Sequence, residues 1–212
     1  MTATAVHTTS ISLELGCCPD AHDLGGPRYL QLSRGPYDVC SVLETPESVD
    51  AWRACHRTAR KRADRSARLG YRFAEIRREQ HNDDIYRINT SLDQRQGRPM
   101  ADSYRRPQKF GPLPDYRCNR HRISTYGVLA GRRLVAYLWL YRCGSLALVS
   151  SILGHGAHLA DDIMYLLAQG VIGAEADTRG YLVYNRWDSG TDGLRYYKSK
   201  VGFTEQTVEW LP

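Results

Sequence analysis

Three apolar segments in succession constrain this chain more than anything else in it. They are Ile123-Ser-Thr-Tyr-Gly-Val-Leu129, Leu134-Val-Ala-Tyr-Leu-Trp-Leu-Tyr141 and Ser145-Leu-Ala-Leu-Val-Ser-Ser-Ile-Leu153, separated by turns at Ala130-Gly131-Arg132 and Cys143-Gly144. Short runs rich in β-branched and aromatic residues between glycine turns read as a meander of three strands. Their apolar residues run on almost without alternation, which predicts a sheet covered on both faces. A chain of 212 residues has enough material for one such core, so two full domains are not expected.

The covering elements are legible on either side. Tyr71-Arg-Phe-Ala-Glu-Ile76 alternates as a strand, and Asn82 stands as the cap of a helix over Asp83–Leu92 that buries Ile85, Ile88 and Leu92. After the meander, the Gly-rich joint Gly154-His-Gly-Ala-His158 leads into a helix over Leu159–Asp177, packed through Leu159, Ile163, Leu166 and Leu167. A strand at Tyr181–Tyr184, a helix and a closing strand at Thr204–Trp210 complete the chain. Upstream, residues 1–10 read as a tail, and Ile11–Leu15, Tyr29–Leu32 and Tyr37–Leu43 as strands of a small β unit. That unit and the helix after it, residues 11–70, join the core of residues 71–212 in one compact domain.

The helix after the β unit is predicted to start at Thr45 as N-cap with Pro46 at the first position, and to run to Leu69 with Gly70 as its stop. It is divided lengthwise. Trp52, Cys55, Ala59, Ala63 and Ala67 fall on one side, and Arg53, Arg57, Arg60, Lys61, Arg65 and Arg68 on the other. With only Asp64 relieving that stripe, either water or a polyanion lies against it, and nucleic acid is the leading polyanion. The chain carries a net charge of +6. A further basic pair, Arg95 and Arg98, opens a long proline-containing connection to about Arg122; the two suit a phosphate or carboxylate grip as well as an ordinary surface.

No apolar run approaches the eighteen residues of a membrane span, and the N-terminus lacks the pattern of a secretory signal, so a cytoplasmic protein without a membrane partner is expected. The scattered cysteines Cys17, Cys18, Cys40, Cys55, Cys118 and Cys143 read as reduced thiols. The pairs Cys118/His121 and His155/His158 have metal-like spacing but no second pair, and no metal is expected.

Chemistry concentrates near the end. Tyr181-Leu-Val-Tyr-Asn185 is followed by a turn and then by Gly193-Leu-Arg-Tyr-Tyr-Lys-Ser-Lys-Val-Gly-Phe203, which sets a phenol and an ammonium beside the end of a strand. The order of elements from residue 71 onward resembles the GNAT acyltransferase fold. That resemblance implies a mixed, mostly antiparallel α/β (α+β) sheet with helices on both faces and a splayed strand pair that opens a cleft. Acetyl-CoA-dependent members hold a pyrophosphate on an Arg/Gln-x-x-Gly-x-Gly/Ala loop at the start of the third helix. Leu153-Gly-His-Gly-Ala-His158 has two glycines there but no arginine, and Asp161 and Asp162 follow.

The ending Gly193-Leu194, Tyr197-Lys198, Gly202-Phe203 and the basic run Cys55-His-Arg-Thr-Ala-Arg-Lys-Arg-Ala63 are similar to the aminoacyl-tRNA-dependent branch: the Fem peptidyltransferases, the leucyl/phenylalanyl transferases and the bacterial arginyl transferases. That likeness implies an aminoacyltransferase forming a peptide bond on an amine acceptor, a peptide, an antibiotic intermediate or a protein N-terminus. It uses aminoacyl-tRNA as co-substrate and no further cofactor. On this sequence Lys198, with Tyr197, would steady the tetrahedral intermediate and His155 or Asp162 would take the amine proton. Arg95, Arg98, Asn185 and Asp188 would orient substrate, and Arg53, Arg57, Arg60, Lys61, Arg65 and Arg68 would bind tRNA. The alternatives are an acetyl-CoA-dependent N-acetyltransferase and a non-catalytic GNAT-like RNA-binding protein.

Overall fold

The computed structural model describes residues 38–113, 121–143, 145–188 and 190–208. The tail and the strands expected at Ile11–Leu15 and Tyr29–Leu32 lie outside them. In chain order the elements are β1 (Asp38–Glu44), α1 (Val49–Cys55), α2 (Arg57–Arg68), β2 (Tyr71–Glu75), α3 (Asn82–Thr90), the two-residue strands β3 (Gln94–Arg95) and β4 (Arg98–Pro99), and α4 (Asp102–Arg105). Then come β5 (His121–Ala130), β6 (Arg133–Cys143), β7 (Leu146–Gly154), a 3-10 turn at Gly156–Asp161, α5 (Ile163–Glu175), β8 (Tyr181–Arg186), α6 (Asp192–Val201) and β9 (Thr204–Val208).

The three apolar runs are β5, β6 and β7, and they form the middle of a seven-stranded sheet ordered β2-β5-β6-β7-β8-β1-β9. All neighbours are antiparallel except β7 and β8. One face packs Val128, Leu138, Val149 and Leu182 against Trp52, Ala59, Ala63, Leu167 and Val201 of α1, α2, α5 and α6. The other packs Leu134, Tyr137 and Leu153 against Ile85 and Ile88 of α3. Strands buried on both sides have no polar face to show, which is why these runs do not alternate. The mixed, mostly antiparallel sheet with helices on both faces is the architecture that the GNAT resemblance implies. The strand expected in an N-terminal β unit, β1, sits inside this sheet between β8 and β9.

The long helix expected from Thr45 to Leu69 is instead two. Ser48 is the N-cap, its hydroxyl accepting from the Ala51 amide at 3.1 Å, and the helix breaks at His56. Thr45 is used elsewhere: its hydroxyl donates to the Gly180 carbonyl and accepts from the Gly180 amide, clamping the start of β8. The break has a tertiary cause. The Trp52 indole N–H donates to the Val201 carbonyl at 2.7 Å, capping the end of α6, while Ala59 and Ala63 pack against a different helix, α5. Gly202 closes α6 in the left-handed region at φ 108°, with its own amide and that of Phe203 returning to the Lys198 carbonyl. Asn82, expected as a cap, lies in the first turn of α3 and holds Phe110 through the backbone in both directions. The helix expected from Leu159 begins at Ile163, after the 3-10 turn.

Candidate functional site

Strands β7 and β8 pair in register only over Leu146–Leu148 and Tyr181–Val183. Beyond those residues they part, as the resemblance implies, and a cleft of about 340 Å³ opens between Ile152, Leu153 and Gly154 on one side and Tyr184 on the other. Met164 of α5 and Leu194 and Tyr197 of α6 close it with apolar surface, and Gln94, Arg95, Gln96 and Thr191 form a polar end. Leu194 and Tyr197 are three apart, so one helix face puts both side chains on the cleft.

The two residues singled out on α6 face different ways. The Tyr197 ring lines the cleft, but its hydroxyl donates to the Met164 carbonyl at 3.0 Å, and burial raises its pKa well above the ordinary phenol value. Lys198 is fully buried behind the cleft wall and is not among the lining residues. Its ammonium donates to the Arg186 carbonyl at 2.6 Å and stands 4.9 Å from the centre of the ring of Tyr184, a residue that lines the cleft. Burial pulls its pKa down to about 8, against the attraction of Cys40 and Asp188.

The Gly-rich joint after β7 is bonded to its surroundings throughout. The His155 amide donates to the Val135 carbonyl, the Gly156 amide to the Ser91 hydroxyl and the Ala157 amide to His155 Nδ1. Its glycines are there for packing. A Cβ on Gly154 would stand 2.7 Å from the Met164 sulfur, and one on Gly156 would stand 2.8 Å from Leu92. Burial first, then His158 and Arg95, hold the His155 imidazole below its usual value. Asp162 takes Arg62 at 3.3 Å and Arg65 at 2.9 Å. Beside it, Asp161 accepts from the Tyr71 hydroxyl at 2.7 Å, and burial with that carboxylate raises Tyr71 to about 12.

Arg95 holds two backbone carbonyls and a hydroxyl, with its Nε–H buried and, among the described residues, unpartnered. Its guanidinium donates to the Gly154 carbonyl at 2.9 Å, the Ile88 carbonyl at 2.8 Å and the Ser91 hydroxyl at 3.0 Å, with its edge at the cleft. Arg98 is exposed on β4. Asp188 is exposed and takes the Arg186 guanidinium through both oxygens, which lowers its pKa. Asn185 lies in β8, and its side chain is outside the described residues.

The basic stripe is more neutralised than its own helix predicts. Arg53 turns inward to Asp64 and Gln169, and Arg65 pairs with the acidic turn before α5. Among the described residues Arg57, Arg60, Lys61 and Arg68 have no ion-pair partner. Arg62 connects the helix to the cleft: it lies 5.1 Å over the Tyr165 ring, which meets Tyr197 edge-on at 5.0 Å. No group of three metal-ligating side chains occurs among the described residues, and no helix there is long and apolar enough to cross a membrane.

The structure thus brings Arg95 and Tyr197 to one cleft and joins Asp162 to the basic helix, while Lys198 stands one ring behind. Sequence reasoning missed Met164, Tyr184, Thr191, Leu194 and the glutamines as cleft walls. The i, i+3 spacing of Leu194 and Tyr197 was the signal available for part of that wall.

No family profile and no curated protein matches this chain. Among solved structures it is similar to the C-terminal DUF2156 domain of a putative lysylphosphatidylglycerol synthetase from Agrobacterium fabrum, with TM-score 0.52 and 12% identity over 80% of this chain and 58% of that one. It is also similar to a conserved protein of unknown function from Bacteroides thetaiotaomicron, with TM-score 0.53 and 10% identity over 91% of this chain and 66% of that one. The chain spans less than two thirds of either, and likeness at this identity concerns the fold alone.

Proposed function

We propose that this protein is an aminoacyltransferase that takes an activated amino acid from aminoacyl-tRNA and joins it to the amine of a peptide or other small acceptor. One observation carries the reading. At the joint where an acyl-CoA pyrophosphate would need free amides, the amides are already bonded, and the following Asp162 ties that joint to Arg62 and Arg65 of a basic helix. A donor held by many phosphates along α2 suits that arrangement better than a nucleotide held by one loop. The name of the Agrobacterium neighbour also places an aminoacyl group in its product.

The chemistry demands little of the protein. The acceptor's neutral amine attacks the ester carbonyl and an N–C bond forms. The tetrahedral intermediate collapses as the C–O bond to the ribose breaks, and the proton lost by nitrogen ends on the ribose oxygen. An already activated ester needs placement and a field that favours the oxyanion more than it needs a strong nucleophile. In this reading the acyl group lies in the cleft against Tyr197, and Arg95 and Lys198 supply positive charge from its two sides. His155, its pKa held below the ordinary imidazole value, and Asp162 are the candidate proton acceptors in and after the joint, Asn185 and Asp188 from the end of β8 would meet the acceptor, and Arg98 extends the basic surface.

Incubating the purified protein with radiolabelled aminoacyl-tRNA and, separately, with acetyl-CoA tests the donor. Label transfer from tRNA to an added amine is expected; consumption of acetyl-CoA alone sinks the reading. Replacing Arg57, Arg60, Lys61 and Arg68 with glutamine should flatten the salt dependence of tRNA binding by about 3 units of slope. An unchanged slope would make the stripe a solvated face.

A further inference from the structure

The cleft has a chemical character of its own. Its walls are Ile152, Met164, Tyr184, Leu194 and Tyr197, from both splayed strands and both flanking helices. Two of the few large apolar side chains exposed anywhere in the described residues, Leu92 and Leu159, stand among its lining residues. No aspartate or glutamate lines it among the described residues, and its one cationic lining residue is Arg95. Its polar groups gather at one end, where Gln94, Gln96 and Thr191 flank the β3–β4 hairpin and the start of α6.

Resting on the aminoacyl-transfer reading, we infer that the cleft selects donors whose amino-acid side chain is uncharged and apolar, branched aliphatic or aromatic, and that Leu194 and Leu92 enforce the choice. The ester and ribose would lie at the polar end and the side chain between Ile152, Met164 and Tyr197. A volume of about 340 Å³ is at the small end of ligand sites and suits one aminoacyl group. A lysyl or arginyl side chain entering there leaves water, finds no carboxylate and approaches Arg95, so it loses its hydration with nothing in return. A glutamyl side chain also loses hydration; Nη1 and Nη2 of Arg95 already donate to Gly154, Ile88 and Ser91, and its Nε–H, unpartnered among the described residues, is buried away from the cleft surface.

Hydrolysis-resistant 3′-aminoacylamino-3′-deoxyadenosines carrying phenylalanyl, leucyl, lysyl and glutamyl groups test this by calorimetric titration of the full chain. The phenylalanyl and leucyl compounds are expected to bind at least about tenfold more tightly than the other two. Equal or tighter binding of the lysyl or glutamyl compound overturns the inference and leaves the aminoacyl reading standing; absence of binding by all four overturns both. Leu194→Glu should shift the preference toward the lysyl compound. Leu92→Glu, at an exposed position, should shift it the same way by less. If both variants remain folded by circular dichroism and neither moves the lysyl-to-phenylalanyl ratio, these residues do not set the selectivity.

Discussion

The two strands that part to form the cleft finish in the same way with different chemistry. β7 ends at Gly154 and β8 at Arg186, and at each end a carbonyl that the ladder no longer serves accepts a hydrogen bond from a cationic side chain. At β7 the cation is Arg95, whose planar fork also holds Ile88 and Ser91 and so locks α3 and the β3–β4 hairpin to the strand. At β8 it is Lys198, fully buried, with one described hydrogen bond and its pKa down at about 8. Splaying a parallel pair costs ladder bonds, and buried polar groups must be served somehow. A guanidinium holds several acceptors at once in a fixed fork and keeps its charge; the Lys198 ammonium makes one described hydrogen bond and sits close to its titration point. The β7 side of the cleft is therefore a fixed wall, and the β8 side one whose charge depends on pH.

The largest effect should come from the fixed wall. Arg95→Met removes three donors and leaves the Gly154 carbonyl without its partner, for an expected loss of about 3 kcal/mol in urea unfolding. Arg95→Lys, without the planar fork that reaches all three acceptors at once, should recover only part of it. A loss no greater than that of Lys198→Met at neutral pH would break the comparison.

Lys198 comes next, and its signature is a pH window. Its folded pKa of about 8 lies below the usual 10.5, so between those values the unfolded chain binds a proton that the folded chain does not. Stability then rises with pH across the window and the benefit is lost as pH falls through 8. Relative to Lys198→Met, the wild type should gain about 3 kcal/mol from pH 8 to 10.5. Taking the difference cancels the tyrosines that also titrate at high pH. A flat difference would mean that Lys198 keeps its ordinary affinity for protons.

These two cations also mark where the sequence was readable. The meander, the covering helices and the Gly70 stop were legible because apolar periodicity and turn residues are local. Arg95 was visible as one of a basic pair, but two of its three acceptors are backbone carbonyls, which no side-chain pattern records. The break at His56 was invisible because Arg57-Thr58-Ala59 continues a helical pattern with neither glycine nor proline, and its cause, Trp52 on Val201, lies 149 residues away. Likewise Asp162 neutralises Arg62 and Arg65 from 100 and 97 residues downstream, so a stripe that repels itself on paper is partly paired in space.

Tyr197 separates wall from chemistry. Tyr197→Phe keeps the ring on the cleft and removes only the bond to Met164, so it should cost about 1 kcal/mol in stability. Transfer activity measured with aminoacyl-tRNA should change little, because a phenol already given to a carbonyl and held far above its ordinary pKa donates no proton to a leaving group. A large fall in kcat with unchanged KM would instead put that hydroxyl in the reaction and make the α6 side more than a wall.

The smallest effect sharpens the β8 side most. Asp188 is exposed, holds the Arg186 guanidinium, and its charge favours the protonated form of Lys198. Exposed pairs contribute little to folding, so Asp188→Asn should leave the unfolding midpoint at pH 7 where it is. The pH window of Lys198 should nevertheless move downward, because a charge that favoured its protonated form is gone while the burial that opposes it remains. Comparing the stability difference between Asp188→Asn and Asp188→Asn/Lys198→Met across pH 6 to 10 reads that shift directly. A window that stays in place would show that the local environment of Lys198 is set by burial, Cys40 and the Tyr184 ring, and that the exposed acid does not reach the wall.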